Sequence, residues 1–516
     1  MTEPQLCMTV AGPSMEDLRR SRDAAVEADL VELRLDLVDR PDVAGALAGR
    51  RTPVIVTCRA SWEGGRFQGS EEERRRILES ALELGAEYID VEEAAGFASD
   101  LIRSRAGRGI VVSSHVFGPP PLDLEARYAR LQATGAEVVK LAIQVSSLEE
   151  TLPLFELGAS VGDAPGRGHV LLAMGNQGIP TRILTARLRN RWTYAGDAVA
   201  PGQFPASRFL ADYRFRRIAP DAALYAVVGN PVIHSRSPVM HNAGFAALGL
   251  NAVYVPLEAR DAADFITFAE RMQLRGASIT APFKIALMVR ADEIDPLARQ
   301  VGAINTVAVR DGRWVGTNTD VEGFLAPLQK RTSLEGRRVT ILGSGGAARA
   351  AAVALASRRA MVTVSARNAA HADTIARMVG GAVSPLPPPA ASWDVLVNAT
   401  PVGSEKAPGN PMGDAPLDGS IVFDLVYAPA DTALLQAARA AGCETIGGLE
   451  MLIAQAERQF ELWTGQRPPS GLFEAAATRG DVQIRSGRLP PSRGSASADD
   501  HSLGGDRHPA PSGSAK

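Results

Sequence analysis

The sequence predicts two α/β folds in one chain: an N-terminal (β/α)8 barrel and a following two-lobed α/β region with a Rossmann-like lobe. Three observations lead to this prediction. Apolar strand-like runs alternate with helical stretches up to about residue 210, and a strand, a glycine-rich turn and a helix follow one another near residues 339–357. The chain has 516 residues, whereas one domain rarely exceeds about 250, so more than one core is required.

Eight short apolar runs, spaced by roughly 20–30 residues, define the predicted barrel. These runs are Leu6–Val10, Val31–Leu35, Val54–Cys58, Tyr88–Val91, Ile110–Ser114, Val138–Ala142, Val170–Ala173 and, more weakly, Ala195–Val199. An open doubly wound sheet fits the same alternation of strands and helices, so the pattern alone leaves both folds open.

Changes of composition divide the chain further. Residues 1–208 form the predicted barrel, 209–222 a polar, Arg-rich linker, 223–322 the first lobe of the second region, and 323–478 its Rossmann-like lobe with C-terminal helices that return to the first lobe. Residues 479–516 are rich in Gly, Ser, Pro, Asp and Arg and have hardly any large apolar side chains, which predicts a disordered tail.

The overall composition, 45% hydrophobic and 22% charged, is typical of globular proteins. A net charge of −3 argues against nucleic acid or an anionic membrane as a partner, and no apolar stretch approaches the roughly 20 residues of a transmembrane helix. Met1–Met8 lack the features of a secretory signal, so a cytoplasmic location is expected. Cys7, Cys58 and Cys443 match no zinc or CxxC spacing and are expected to be buried thiols, with no metal site.

Lysine is rare in this chain. Of the 55 basic residues only five are Lys, namely Lys140, Lys284, Lys330, Lys406 and Lys516. Arginine serves wherever a surface cation suffices, but it stays protonated in proteins and can neither form a Schiff base nor readily donate a proton. Lys140 and Lys284 are therefore the first candidates for chemistry.

Charged residues stand at the ends of predicted strands, where a (β/α)8 barrel carries its active site. Strict alternation directs Glu32, Arg34 and Asp36 to one side of the second strand, and such charges are costly inside a barrel unless they pair or meet a ligand. Lys140 ends the sixth strand, where desolvation and neighbouring cations favour a neutral amine that attacks carbonyls. His115 ends the fifth strand and suits general acid–base catalysis.

Further motifs accompany these residues along the first half. The motifs are Glu32-Leu33-Arg34-Leu35-Asp36, Ser114-His115, Gly135-Ala136-Glu137-Val138-Val139-Lys140, Met174-Gly175, Arg182 and Ala200-Pro201-Gly202-Gln203. In this order and at these spacings they resemble type I 3-dehydroquinate dehydratases over about residues 5–208.

The resemblance implies a Schiff-base mechanism. Lys140 would form an imine with the C3 ketone of 3-dehydroquinate, and His115 would take a proton from C2 and then protonate the departing C1 hydroxyl. Glu32 would orient or electrostatically tune His115. The residues that would bind the substrate are Arg182 for its carboxylate, and Arg34, Arg59 and Gln203 for its hydroxyls and carboxylate. Val199 departs from the family, since many bacterial members carry Ser there, and this removes one hydrogen bond to the substrate.

A glycine-rich turn in the second half predicts a dinucleotide site. Gly343-Ser344-Gly345-Gly346-Ala347-Ala348 follows the predicted strand Val339–Leu342 and opens an Ala-rich helix, the context in which a pyrophosphate approaches the backbone. After the next strand stands Arg367, where a NAD site places an acidic residue, and Arg suits the 2′-phosphate of NADP. The alternative for Arg367 is a solvated surface cation.

Polar side chains that suit a small polyol precede this turn in the sequence. The segments 229–238, 276–284 and 305–320 contain hydroxyl and amide side chains that could bind such a ligand, among them Ser235, Ser237, Thr280, Asn305 and Asn318. Lys284 paired with Asp320 would form a proton relay for alcohol–ketone interconversion beside a hydride carrier.

With Asn398-Ala399-Thr400, Tyr427 and the segment 448–455, these motifs resemble shikimate dehydrogenases over about residues 224–478. The resemblance implies that Lys284 and Asp320 handle the proton. The implied substrate-binding residues are Ser235, Ser237, Thr280, Asn305, Tyr427 and Gln455. The implied NADP contacts are Gly343, Ser344, Gly345, Gly346, Ala347, Arg367 and Gly448.

Four positions depart from the dehydrogenase pattern. Ser278 replaces a common Asn, which would weaken a structural contact. Ala366 and His371 stand where relatives carry Asn and a second Arg, which would soften the preference for NADP. Gly447 replaces a common Asp, with no effect that the sequence predicts.

The two resembled families catalyse consecutive steps of the shikimate pathway, so each assignment supports the other. Alternatives remain at this level: a metabolite-sensing regulator built on the same folds, a lysine-dependent aldolase-type barrel, or a quinate-type dehydrogenase in the second half. Enzymes of both families are often dimers, so a homodimer is expected, although the fusion leaves this open.

Overall fold

The computed structural model describes residues 3–161, 166–196 and 203–486, with side chains up to residue 479. The last three residues of the predicted eighth strand (197–199), the motif Ala200-Pro201-Gly202 and the predicted tail beyond residue 486 lie outside the described residues. Within the described part, no helix is both long and apolar enough to cross a membrane. Cys7, Cys58 and Cys443 are free and buried, as predicted.

Eight parallel strands form the N-terminal barrel. The strands are β1 (Gln5–Val10), β2 (Leu30–Arg34), β3 (Val54–Thr57), β4 (Tyr88–Glu92), β5 (Ile110–Val116), β6 (Val138–Gln144), β7 (Gly168–Met174) and β8 (Trp192–Ala195). The helices of this half are α1 (Met15–Ala24), α2 (Val43–Leu47), α3 (Glu71–Glu83), α4 (Ala98–Ser104), α5 (Leu124–Ala133), α6 (Leu152–Ser160), α7 (Ile179–Ile183) and α8 (Ala206–Ala211). The strands pair in the order β7-β6-β5-β4-β3-β2-β1-β8, so the predicted barrel is confirmed and the open doubly wound sheet is wrong.

Several strand bounds differ from the predicted ones. β6 extends to Gln144, so Lys140 lies within this strand rather than at its end. β2 ends at Arg34 because Leu35–Leu37 forms a 3-10 turn, so Asp36 leaves the alternation and its carboxylate accepts two hydrogen bonds from the Arg34 guanidinium, at 2.9 and 2.8 Å. The eighth strand begins earlier than predicted, at Trp192, where aromatic and β-branched residues favour extended backbone.

The Arg-rich connection between the halves contains buried aromatic side chains. Phe209, Tyr213 and Phe215 are at most 1% exposed. Their rings and that of Phe204 pack at centroid distances of 4.4 to 5.8 Å. The polar composition of this segment did not predict these buried rings, because they face the core while the charged residues between them face solvent.

A mixed six-stranded sheet forms the first lobe of the second half, in the strand order β10-β9-β11-β13-β14-β12. The strands are β9 (Ala223–Gly229), β10 (Ala252–Glu258), β11 (Gly276–Ile279), β12 (Glu293–Ile294), β13 (Thr306–Arg310) and β14 (Arg313–Thr317). The helices are α9 (Ser237–Ala247), α10 (Ala262–Arg271), α11 (Phe283–Ala286) and α12 (Pro296–Val301).

A parallel six-stranded sheet forms the Rossmann-like lobe, in the order β17-β16-β15-β18-β19-β20. The strands are β15 (Arg338–Leu342), β16 (Met361–Ser365), β17 (Ala382–Ser384), β18 (Val395–Asn398), β19 (Ile421–Asp424) and β20 (Glu444–Gly447). The helices are α13 (Asp320–Gln329), α14 (Gly346–Ala356), α15 (Ala369–Val379), α16 (Ala433–Ala440), α17 (Gly448–Thr464) and α18 (Leu472–Ser486). α17 returns to the first lobe, where the Phe460 ring lies 5.3 Å from that of Phe245.

The barrel and the first lobe are packed against each other through one apolar core. The rings of Phe155 on α6 and Phe268 on α10 meet edge to face at 6.4 Å. Beside them, Asp264 accepts backbone hydrogen bonds from Leu148 (3.1 Å) and Glu149 (2.8 Å) of the barrel. The two halves are therefore packed against each other and are not joined by the connecting segment alone.

Candidate active sites

A cavity of about 650 Å³ opens at the C-terminal rim of the barrel strands. Every barrel residue predicted as a site residue lines it: Glu32, Arg34, Arg59, His115, Lys140, Arg182 and Gln203. The reason is topological, since parallel strands place all their carboxyl ends at one face.

Lys140 lies in a layer of side chains formed by alternate strands. Its Nζ is 2.9 Å from Asp90 on β4, 3.5 Å from Glu32 on β2 and 4.3 Å from the centre of the Tyr194 ring on β8. Even-numbered strands share a layer in a (β/α)8 barrel, which explains why these four meet. The nearest charged groups are thus carboxylates, not the cations expected from the sequence.

His115 receives its carboxylate contact from a residue that the sequence did not indicate. Its Nδ1 lies 2.8 Å from Glu63, in the 3-10 turn that follows β3. Glu32, which was expected in this role, instead accepts hydrogen bonds from Thr9 and Thr57, each at 2.9 Å. The physical reason is depth: Glu32 lies in the layer of Lys140, whereas Glu63 reaches His115 from the rim.

The pKa values of this pair move in opposite directions. Burial, reinforced by Arg59 and Lys140, lowers the pKa of His115 well below its usual value. Burial raises the pKa of Glu63 to about 8, although Arg59 opposes the shift. The imidazole is therefore neutral near pH 7. Nε2 is a base in the tautomer whose Nδ1–H donates to ionised Glu63, so the hydrogen bond between the two groups decides which nitrogen carries the proton.

Arg59 is held in a buried network of carboxylates. Its guanidinium lies 2.9 Å from both Asp90 and Glu92 and donates to Ser113 at 2.8 Å. Burial alone would raise the pKa of Asp90, but Arg59 and Lys140 hold it well below its usual range. Asp90 is therefore a fixed negative charge. Sequence reasoning missed Asp90 and Glu92, although the alternation used for Glu32 and Arg34 would have found them on β4.

The two remaining predicted substrate contacts differ in burial. Arg182 on α7 is 2% exposed, and burial lowers its pKa to about 10. A guanidinium at this depth, facing a cavity, suits an anionic ligand. Gln203 is half-buried and donates from Nε2 to Thr9 Oγ1 at 3.2 Å, so it is tied to the same hydroxyl that binds Glu32.

A second cavity, of about 520 Å³, lies between the two lobes of the second half. The predicted residues that line it are Ser235, Ser237, Thr280, Lys284, Asn305, Asp320, Tyr427 and Gln455, with Ala347 and Gly448 from the Rossmann-like lobe. The structure therefore joins hydroxyl, amide and ionic groups from segments far apart in the sequence.

Lys284 and Asp320 form an ion pair in this cavity. Lys284 Nζ lies 2.6 Å from Asp320 Oδ2, and Asn305 donates to the other carboxylate oxygen at 2.8 Å. Asp320 opens α13, where its charge is stabilised by the helix N-terminus. Both oxygens of the carboxylate are thereby fixed, which leaves the ammonium to face the cavity.

A hydroxyl network reaches this pair through Asn305, which accepts a hydrogen bond from Thr306 at 2.8 Å. Ser278 accepts a hydrogen bond from the Tyr254 hydroxyl (2.6 Å) and donates to Gln459 (2.8 Å), which in turn donates to Thr306 (2.9 Å). Ser278, which departs from the common Asn, is thus fully engaged in buried contacts rather than a weak point.

The glycine-rich turn connects β15 to α14, as predicted. Gly343 has φ of +111°, a conformation that favours glycine, and a Cβ at Gly345 or Gly346 would meet open space. Gly448 is required by a close approach, since a Cβ there would lie 2.4 Å from the Leu425 carbonyl oxygen. Arg367 is exposed just after β16, and Asn368 caps α15 by accepting a hydrogen bond from the His371 backbone.

Glu405 and Lys406 also line the second cavity, and sequence reasoning did not select them as site residues. They occupy the tip of a turn in which the Ala407 backbone donates to the Ser404 carbonyl at 3.1 Å. The rarity of lysine was the signal that could have identified Lys406.

Models of three protein families match the chain. They are type I 3-dehydroquinase at residues 6–220, the shikimate dehydrogenase substrate binding domain at 227–307 and the shikimate 5′-dehydrogenase C-terminal domain at 448–478.

Individual relatives match one half or both halves. The chain is 34% identical to the chloroplastic bifunctional 3-dehydroquinate dehydratase/shikimate dehydrogenase of Arabidopsis thaliana, over 91% of this chain and 83% of that protein. It is 38% identical to the shikimate dehydrogenase (NADP(+)) of Shouchella clausii, over 47% of this chain and 94% of that protein. The crystal structure of shikimate 5-dehydrogenase from Thermus thermophilus with NADP(H) and shikimate is 36% identical, covers 50% of this chain and 99% of that one, and has a TM-score of 0.46.

Proposed function

Because the chain belongs to the family of bifunctional 3-dehydroquinate dehydratase/shikimate dehydrogenases, we propose that it catalyses both reactions. The barrel dehydrates 3-dehydroquinate to 3-dehydroshikimate, and the second half reduces this product to shikimate with NADPH. The observation that carries the proposal is the placement of the two early lysines: Lys140 and Lys284 each lie in a separate cavity, beside carboxylates.

In the barrel, the Lys140 amine attacks the C3 ketone, and water leaves as the imine forms. His115 Nε2 then removes a C2 proton and returns it to the C1 hydroxyl, which departs as water. Glu63 keeps the ring oriented through Nδ1 (2.8 Å), and Glu32 and Asp90 fix the position of the amine. A second water hydrolyses the imine and frees Lys140.

Substrate binding in the barrel falls to its cationic and amide groups. Arg182 binds the carboxylate, for which a buried planar fork offers two parallel hydrogen bonds. Arg34, Arg59 and Gln203 hold the hydroxyls and the rest of the carboxylate. Arg34 and Arg59 are pre-oriented by Asp36 (2.8 Å) and by Glu92 (2.9 Å), so little side-chain freedom is lost on binding.

In the second half, NADPH held by the residues of the Rossmann-like lobe would supply the hydride for the substrate ketone. Lys284 protonates the developing alkoxide, and the Asp320 carboxylate, 2.6 Å away, holds the ammonium in place. A proton from solvent then restores the ammonium. The substrate hydroxyls and carboxylate are bound by Ser235, Ser237, Thr280, Asn305, Tyr427 and Gln455.

The residues of the Rossmann-like lobe fit the cofactor. The open space at Gly345 and Gly346 lets a pyrophosphate reach the backbone at the N-terminus of α14. Exposed Arg367 suits the 2′-phosphate. The full set that would hold NADP is Gly343, Ser344, Gly345, Gly346, Ala347, Arg367 and Gly448.

The proposal extends to organisation and location. The functional units are residues 1–208, 223–322 and 323–478, joined by 209–222. The tail predicted for 479–516 begins later than expected, because α18 extends to Ser486. The protein acts on small molecules only, in the cytoplasm, as a homodimer.

A two-stage assay tests the proposed function. The purified protein is incubated with 3-dehydroquinate while the enone absorbance of 3-dehydroshikimate is followed, and NADPH is then added. The expected record rises, then falls as NADPH is oxidised. A folded protein with no rise refutes the barrel assignment and favours a metabolite-sensing regulator, and a reaction with quinate but not shikimate refutes the assignment of the second half.

A further inference from the structure

One buried carboxylate on the first lobe contacts loops of both cavities. Glu258, the last residue of β10, is 8% exposed. Its Oε1 accepts a hydrogen bond from Asn176 of the barrel at 3.0 Å, and its Oε2 accepts one from the Val232 backbone at 3.4 Å. A single side chain therefore joins two loops that serve different sites.

On the barrel side, the contact fixes the start of the helix that carries Arg182. Asn176 begins the 3-10 turn Asn176–Gly178, which leads directly into α7. Met174, just before this turn, and Arg182, within α7, both line the barrel cavity. A shift of Asn176 would therefore move the guanidinium that faces the substrate.

On the other side, the contact fixes the loop that carries two serines. The Val232 carbonyl accepts a hydrogen bond from the Ser235 backbone at 3.0 Å, and Ser235 Oγ accepts one from the Ser237 backbone at 3.2 Å. Val232, Ser235 and Ser237 all line the second cavity. The hydrogen bond from the Val232 backbone to Glu258 thus fixes the start of the turn that orients both serine hydroxyls.

We propose that Glu258 is a positioning residue shared by the two active sites, which sets the place of Arg182 in one and of Ser235 and Ser237 in the other. It touches neither substrate. This inference rests on the proposed pair of activities and adds a residue outside both cavities to them. The physical basis is that removal of a buried carboxylate leaves the two N–H groups that donate to it without an acceptor, and both loops can then shift.

The central test is Glu258→Ala in the full-length protein. The KM for 3-dehydroquinate and the KM for shikimate with NADP+ are both expected to rise about threefold to tenfold, with each kcat within about twofold of wild type. Glu258→Gln is expected to restore both KM values, because its carbonyl can accept from Val232 while its amide pairs with a turned Asn176 side chain.

Two further variants give the matched controls. Asp264 is another buried carboxylate that joins barrel and first lobe, but its partners Leu148 and Glu149 line neither cavity. Asp264→Ala is expected to leave both KM values unchanged. Asn176→Ala breaks only the barrel contact, so it is expected to raise the KM for 3-dehydroquinate alone.

Several outcomes would overturn the proposal. These are unchanged KM values in folded Glu258→Ala, a rise in only one of them, a fall in both kcat values at constant KM, or an equal effect of Asp264→Ala. If Glu258→Ala does not fold, Asn176→Ala decides, and an unchanged KM for 3-dehydroquinate overturns the inference. Absence of either activity in the wild-type protein refutes the proposed function instead, so the two failures are distinct.

Discussion

The two cavities of this chain hold their lysines in contrasting surroundings. The Lys140 side chain is 6% exposed, touches two carboxylates and lies over the Tyr194 ring, within a wider network of buried charges. The Lys284 side chain is 28% exposed and has one carboxylate partner among hydroxyl and amide groups. One site is built from fixed charges inside the barrel, and the other from one ion pair and mainly neutral polar groups between two lobes.

This contrast follows from what each site has to stabilise. Carbinolamine and imine formation creates and moves charge next to the protein, so pre-placed carboxylates and arginines lower the cost of that charge without reorganisation. Hydride transfer to a ketone leaves one developing alkoxide, which a single proton donor neutralises. A site dense in fixed charges and a site with one ion pair among mainly neutral polar groups are the expected solutions to these two problems.

The sharpest way to break the comparison is to replace each lysine by arginine. Arginine keeps the positive charge but cannot form an imine, so Lys140→Arg is expected to lower the dehydratase rate by more than about 10⁴-fold. Lys284→Arg is expected to lower the dehydrogenase kcat by about 10²–10⁴-fold, because arginine does not release its proton.

Each variant serves as the control for the other, since the untouched half should keep its activity. Borohydride treatment with 3-dehydroquinate, followed by intact-mass measurement, should give a covalent adduct in wild type and in Lys284→Arg only. An adduct in Lys140→Arg would show that another amine reacts.

A smaller effect is expected from the residue that orients His115. Glu63→Ala removes the 2.8 Å contact at Nδ1, so the ring can turn, and the dehydratase kcat is expected to fall about tenfold to hundredfold. The dehydrogenase rate provides an internal reference. Glu79→Ala, which removes a surface partner of Arg75 on α3, should change neither rate. Wild-type dehydratase kinetics in Glu63→Ala would return the orienting role to Glu32.

The contrast between Glu63 and Glu32 also shows how far the sequence could lead. Lys140, His115, Lys284 and Asp320 were predictable because each lies in a strand or in the first turn of a helix within a regular α/β pattern. Glu63 was not, since it lies in a short 3-10 turn without periodicity, and its reach across the rim depends on tertiary geometry.

Two other features were hidden for different reasons. Asp90 and Glu92 alternate along β4 and were within reach of the argument applied to β2. The aromatic residues of the connection, such as Phe209, were masked by their arginine neighbours, because average composition does not report which side of a turn faces the core.

In the Rossmann-like lobe, we expect one substitution to change the KM for NADPH by about tenfold. Arg367→Ala is expected to raise the KM for NADPH about tenfold and to leave that for NADH nearly unchanged, because only NADPH carries the 2′-phosphate. Arg377→Ala, which removes an exposed arginine paired with Asp373 on α15, is the matched control. Equal KM values for NADPH in both variants would make Arg367 an ordinary surface cation.

The comparison extends to the way each half buries a histidine. His115 has a carboxylate at 2.8 Å, whereas His241 on α9 packs among the rings of Tyr254, Phe460, Trp463 and Phe473. Burial lowers the pKa of His241 to about 3. The unfolded chain binds a proton near pH 6.5 that the folded chain refuses, so the stability present above pH 6.5 is lost as the pH falls towards 3.

This loss amounts to about 1.4 kcal/mol per pH unit below 6.5, from a single side chain. His241→Phe keeps an aromatic ring and removes the titration, so the fall in unfolding free energy between pH 7.5 and pH 5.5 should shrink by about that amount. The measurement is denaturant unfolding at the two pH values, followed by Trp fluorescence. His371→Gln changes an exposed histidine and should leave the wild-type pH dependence intact. If His241→Phe also leaves the pH dependence unchanged, the aromatic cluster admits a charged imidazole, and the two halves then differ in whether a buried histidine must be neutral.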